Sequence, residues 1–123
     1  MKKMRESQIM LLHYITGLGI LIAGAIHLTV IFILGSYDAN LAFSGSTYSV
    51  INVYKNVLLV SSLWALLALV DFHALNGLRV ILIELYQGFK WQRSVTWLLG
   101  FLGVLVLIYG TRTILIAYRI MIP

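Results

Sequence analysis

Apolar residues run almost unbroken through positions 11–34, 57–83 and 94–118, and polar side chains recur only at a few spaced positions within them. Each run passes the roughly 18-residue length at which an apolar segment reads as a membrane-spanning helix. The pattern therefore predicts helices over 10–34, 54–86 and 94–118. Gly35, Ser36, Asp38 and Asn40 punctuate the end of the first. Residues 41–52, rich in Ser and Thr, read as a loop or short interfacial segment, with Tyr48 and Tyr54 at head-group level. Residues 87–93 read as a short turn that carries Trp91 as an interface anchor.

The polar positions fall on faces. In the second helix Asn76, Gly77, Val80 and Glu84 follow His73 at steps of three, four, seven and eleven, which is one side of an α-helix, with Asp71 and Arg79 off its centre. In the first, His13, Gly17, Gly24 and His27 make a comparable face with Thr16 at its edge. The glycines permit close approach by another helix or by a flat macrocycle. A polar stripe in hydrocarbon needs internal partners, so three such helices predict a second membrane subunit beside them.

Composition agrees. The chain has 123 residues, 61% hydrophobic and 11% charged, more apolar side chain than so small a soluble domain could cover. The expected fold class is all-α integral membrane, a single domain over 1–123 whose three helices join a bundle with that second subunit. There is no cysteine, which excludes disulfides, zinc–thiolate sites and iron–sulfur ligation by this chain. The net charge of +5 comes from residues at helix ends and in short loops, a pattern of membrane topology and not of nucleic-acid binding. Lys2, Lys3 and Arg5 precede the first helix, and Lys90 and Arg93 lie between the second and third. The positive-inside rule thus places the N-terminus in the cytoplasm and the C-terminus outside, in a prokaryotic plasma membrane. Arg112 and Arg119 count against this unless they snorkel. The start resembles a signal-peptide n-region, but the apolar run after it is too long for an h-region and lacks an Ala-x-Ala site, so a retained helix is expected.

His27 and His73 carry the chemistry. An imidazole deep in a spanning helix is costly and needs a partner. Haem iron, a pair of hydrogen bonds to carbonyls or to Asp71 and Glu84, and a proton relay through the same groups all satisfy that need. At 1.5 Å per residue, counting from the expected helix ends puts the two rings at levels roughly 10 Å apart. Axial ligands of one haem approach its iron from opposite faces at nearly one level. That offset argues against a shared iron and for two stacked haems, each completed by a histidine of the partner subunit. Arg79, toward the cytoplasmic side of His73, is placed to meet a haem propionate, and Arg112 is a weaker candidate for a more external haem.

His13-Tyr14-Ile15-Thr16-Gly17, followed by Ile26-His27-Leu28, resembles the first helix of the membrane-anchor cytochrome b subunits of succinate dehydrogenases and quinol:fumarate reductases. Phe72-His73-Ala74-Leu75-Asn76-Gly77-Leu78-Arg79, running on to Glu84-Leu85, is similar to their second helix: histidine, glycine four on, then arginine, with an acid eleven after the histidine. The length matches the split type, in which two small anchors replace one five-helix chain. The resemblance implies a complex with a second membrane-anchor subunit, an iron–sulfur subunit and a flavoprotein that oxidises succinate, the anchors passing electrons to membrane quinone. It implies two b haems, with His27 ligating the one distal to the soluble subunits and His73 the proximal one. In single-haem relatives only the second-helix histidine is used.

The chain departs from the family pattern in places. The Ser-Pro-His segment ahead of the first helix is missing, Tyr14 stands where an arginine is usual, and Glu84 replaces an aspartate. Most of the quinone site would then lie on the partner, with His13, Thr16 and Glu84 contributing at the cytoplasmic end. The expected function is a haem b-binding anchor and electron-transfer subunit with no dicarboxylate active site of its own. The alternatives are a haem-free, quinone-binding anchor of the same complex, and a small proton-coupled transporter or assembly factor using Asp71, His73 and Glu84.

Overall fold

The structure, a computed structural model, describes residues 6–34 and 56–121. Helix α1 spans Glu6–Leu28 and runs directly into a wider π-helical turn, Thr29–Leu34. Helices α2 and α3 span Val57–Leu85 and Phe89–Met121. The interfacial stretch 41–52 with Tyr48, and also Tyr54, Lys2, Lys3, Arg5 and Asp38, lies outside the described residues.

Spanning-length helices of 26, 29 and 31 residues occur at Ser7–Phe32, Val57–Leu85 and Phe89–Arg119. At 1.5 Å per residue, α2 is ~44 Å long against a hydrocarbon layer of ~30 Å, so it tilts or projects. Large apolar side chains face outward along all three, among them Leu21, Leu58, Trp97 and Tyr109, and among the described residues the buried apolar set comprises only Ala23, Val30, Val95, Leu99 and Ile114. That inversion suits a lipid solvent; in water it would be a large exposed apolar surface.

The helix ends differ from the sequence expectation for local reasons. Asn56 is extended (φ −88°, ψ 110°), and its side-chain oxygen accepts from the backbone N–H of Leu58 at 3.0 Å and Leu59 at 3.3 Å. An Asn cap satisfies two amides that have no intrahelical partner, so α2 starts at 57 and not at 54. At its other end Tyr86 turns extended, and Trp91 Nε1–H donates to the Leu82 carbonyl at 2.8 Å. The Trp91 ring also meets Tyr86 edge to face, with centroids 5.8 Å apart. Trp91 sits in the first turn of α3, where Gln92 N–H already bonds to Gly88 O at 2.9 Å. The connection is therefore confined to residues 86–88, instead of the expected turn over 87–93.

Helix α2 packs antiparallel against α1 on one side and against α3 on the other, and α1 and α3 make no contact with each other among the described residues. The three helices form an open row and not a closed bundle. On the α3 side, a Cβ on Gly110 would stand only 2.5 Å from Leu67 Cδ2, so a side chain here would force Leu67 to move. Arg79 Nε–H donates to Thr96 Oγ1 at 3.0 Å, and Trp64 Nε1–H donates to Thr111 Oγ1 at 2.9 Å, tying the two ends of the same pair.

Candidate functional site

The two polar faces expected from periodicity meet at the α1–α2 seam. His13 and His73 stack ring on ring, with centroids 3.8 Å apart and planes inclined by 13°. Each ring sits over the opposite helix's glycine: a Cβ on Gly17 would be 3.1 Å from His73 Cε1, and one on Gly77 would be 3.5 Å from His13 Cε1. The small residues in this seam make room for the imidazole pair.

The hydrogen bonds set the tautomers. The carbonyl oxygen of His13 can only accept, so the contact of 3.1 Å to His73 Nδ1 requires that nitrogen to carry the proton. Thr16 Oγ1 donates to the same carbonyl at 2.9 Å and lies 3.3 Å from His73 Nδ1, where its lone pair shares the Nδ1–H. His73 is thereby left with its lone pair on Nε2. A bond from the other ring nitrogen to a backbone carbonyl is the arrangement that orients metal-binding histidines. The amide of Asn76, the buried polar residue of α2, places Nδ2 3.3 Å from His13 Nδ1. Donation by the amide puts the lone pair of His13 on Nδ1 and its proton on Nε2.

Imidazole binds a metal through a lone pair in the ring plane, so a ring stacked on its face leaves the coordinating edge of His73 available. In that respect the residues present fit an axial haem ligand. No group of three or more His, Asp or Glu side chains converges among the described residues, so a metal held here would need its other ligands from a macrocycle or a partner.

The remaining candidates lie elsewhere. His27, partly exposed in the last turn of α1, lies ten residues beyond Gly17 and fourteen beyond His13, the α1 positions that His73 touches, and hence ~15–21 Å from the level of His73. That exceeds the offset of roughly 10 Å counted from the expected helix ends, because the seating of His73 on Gly17 and on the His13 carbonyl, and not the position of the helix ends, sets the register. The two histidines still do not share a level. Gly24, one turn before His27, has nothing within 4 Å of where a Cβ would be, so this part of α1 is open. Arg79 points to α3, away from the His13–His73 pair. Glu84 is exposed eleven residues past His73, ~16 Å along α2. Asp71 faces α3, its Oδ2 3.2 Å from the Cβ position of Gly103, so Asp71, His73 and Glu84 do not converge as a relay would require. Sequence reasoning placed Asn76 on the right face but missed its role. A lone Asn in an apolar helix was the available signal, since a polar group in hydrocarbon must be paired.

These features define a class: an integral membrane protein of three described helices, with a half-buried histidine pair in a glycine-lined seam and its outer faces open to lipid or to other subunits. Residues 2–116 match the family described as succinate dehydrogenase/fumarate reductase transmembrane subunit, and the chain belongs to that family. A stretch of 72 residues is 39% identical to the succinate dehydrogenase 2 membrane subunit SdhC of Mycobacterium tuberculosis (strain ATCC 25618 / H37Rv), covering 57% of this chain and 53% of that protein. The match thus spans about half the length of that curated relative. No solved structure gives a significant match.

Proposed function

We propose that this chain is a haem b-binding anchor and electron-transfer subunit of a succinate:quinone oxidoreductase, in which His73 would hold the haem iron. The observation that carries the reading is the hydrogen bond from His73 Nδ1–H to the His13 carbonyl, which leaves the ring's lone pair on Nε2. Bound haem supplies a one-electron carrier between an iron–sulfur subunit and membrane quinone. The chain's own residues hold and tune it. The His13 carbonyl and Thr16 keep His73 in one tautomer, and Gly17 gives the ring its place. Asn76 orients the His13 ring through Nδ1, leaving its Nε2 edge toward an acceptor such as a quinone oxygen or a carboxylate.

A second haem is assigned to His27, at a level well removed from the first and beside the open surface at Gly24. A second membrane-anchor subunit would supply the remaining protein ligands, and the flavoprotein and iron–sulfur subunits would dock at the cytoplasmic end. In this reading His13, Thr16 and Glu84 contribute to quinone binding at most in part, because Thr16 is already engaged with His13 and Glu84 lies a helix-third away.

The test is a dithionite-reduced minus oxidised spectrum with haem quantification on the purified membrane complex, repeated for His27→Ala and His73→Ala. Two b haems, one lost in each variant, are expected. One haem lost only with His73→Ala would restrict the chain to a single haem. A wild-type complex that holds its soluble subunits and quinone but shows no Soret band would overturn the cytochrome reading and leave a haem-free anchor.

A further inference from the structure

Helix α3 carries two arginines on one side near its C-terminal end. Arg112 and Arg119 are seven residues apart, almost two whole turns, and both are exposed. They border a groove of about 510 Å³ whose other walls are mainly apolar, Leu107, Ile108, Leu115 and Ile116 among them. Neither guanidinium has a hydrogen bond or ion pair among the described residues. The chain's own acids at described positions cannot supply one. Asp71 faces Gly103, nine residues or ~13.5 Å before Arg112 along α3. Glu84 closes the far end of α2, past the Arg79–Thr96 pair, and Glu6 begins α1 at that same far end.

An arginine stays charged at any pH the membrane meets, and one placed on a lipid-facing helix must find an anion or reach water. Phosphate is the anion whose geometry a guanidinium fits best, through paired N–H donors. The groove adds the second half of the ligand. Its apolar floor runs along the helix axis beside the two cations, as an acyl chain hanging from a phosphate head group would.

We propose that Arg112 and Arg119 form a binding site for an anionic phospholipid, its phosphate held between the two guanidinium groups and a chain laid along Ile108, Leu115 and Ile116. This assignment rests on the membrane family alone and is independent of haem. It also gives a reason for two cations at the end of the chain that the positive-inside pattern leaves outside: they are matched by lipid.

The experiment is native mass spectrometry of the intact complex released from phosphatidylglycerol-containing nanodiscs, for wild type, Arg112→Gln/Arg119→Gln and a control, Arg93→Gln. Wild type and control are expected to retain one phosphatidylglycerol at this chain, and the double variant to lose at least fivefold of that retention while the complex stays whole. Equal retention in the double variant overturns the proposal. So does loss of another subunit in place of lipid, which would mean that the arginines meet a partner's carboxylate. If the double variant does not accumulate, delipidated wild-type complex decides. Its melting temperature should rise with added phosphatidylglycerol and not with phosphatidylcholine, and an equal response to both refutes the site.

Discussion

Replacing Gly17 by alanine tests the α1–α2 seam where it seats the His73 ring. The new methyl would sit 3.1 Å from His73 Cε1, closer than carbon atoms normally pack, with His73 Nδ1 in ordinary contact at 3.5 Å. The ring cannot retreat freely, because its Nδ1–H is held by the His13 carbonyl at 3.1 Å and its far face by the His13 ring. A retreat of a few tenths of an ångström stretches that bond toward the limit at which it counts as one. Overpacking of this kind costs about 2 kcal/mol, and a weakened hydrogen bond about 1 kcal/mol more. Alanine's better helix propensity returns about 1 kcal/mol. The expected net loss is about 2 kcal/mol. Gly24→Ala is the matched control: it carries the same propensity gain on the same helix but has nothing within 4 Å to meet, and should stabilise the chain by up to about 1 kcal/mol. Unfolding of the detergent-solubilised protein by SDS titration, followed by circular dichroism, measures both. If Gly17→Ala is as stable as Gly24→Ala, the ring is not seated where the geometry puts it, and the tautomer argument built on that seat fails with it.

Asn56→Ala should destabilise the start of α2 by about 1 kcal/mol, with Asn56→Asp close to wild type, because only the side-chain acceptor for Leu58 and Leu59 matters; hydrogen exchange at residues 57–60 reads this locally. Trp91→Phe keeps an aromatic ring against Tyr86 but removes the donor to Leu82 O, and should cost about 1 kcal/mol and speed exchange in the last turn of α2. Gly110→Ala should cost about 2 kcal/mol by driving a methyl into Leu67, and Leu67→Ala in the same chain should recover part of it; additive losses in the double variant would show that the two do not touch.

Family membership and architecture were legible because they depend on quantities that a sequence carries openly. Length of apolar run gave three spanning helices, and the steps of three, four and seven put His13 with Gly17, and His73 with Asn76 and Gly77, on single faces. Helix ends were less legible. Asn56 and Trp91 are locally ambiguous: one can be a loop residue or a cap, the other an interface anchor or a lid on the preceding helix. Only contact with specific backbone groups separates those roles.

What the sequence determined by itself is the solvent and the faces, because hydrophobicity and helical period are properties of each segment taken alone. What the tertiary structure decided is register. Sliding α1 along α2 by one turn leaves the same faces opposed, so no periodicity can say whether His13 or His27 stands level with His73. The fit of one imidazole over Gly17 and the other over Gly77 chooses His13, and with it the carbonyl that fixes the His73 tautomer and the ~15–21 Å that sets His27 apart. Packing is specific at that scale because a displaced ring meets a side chain where a glycine should be.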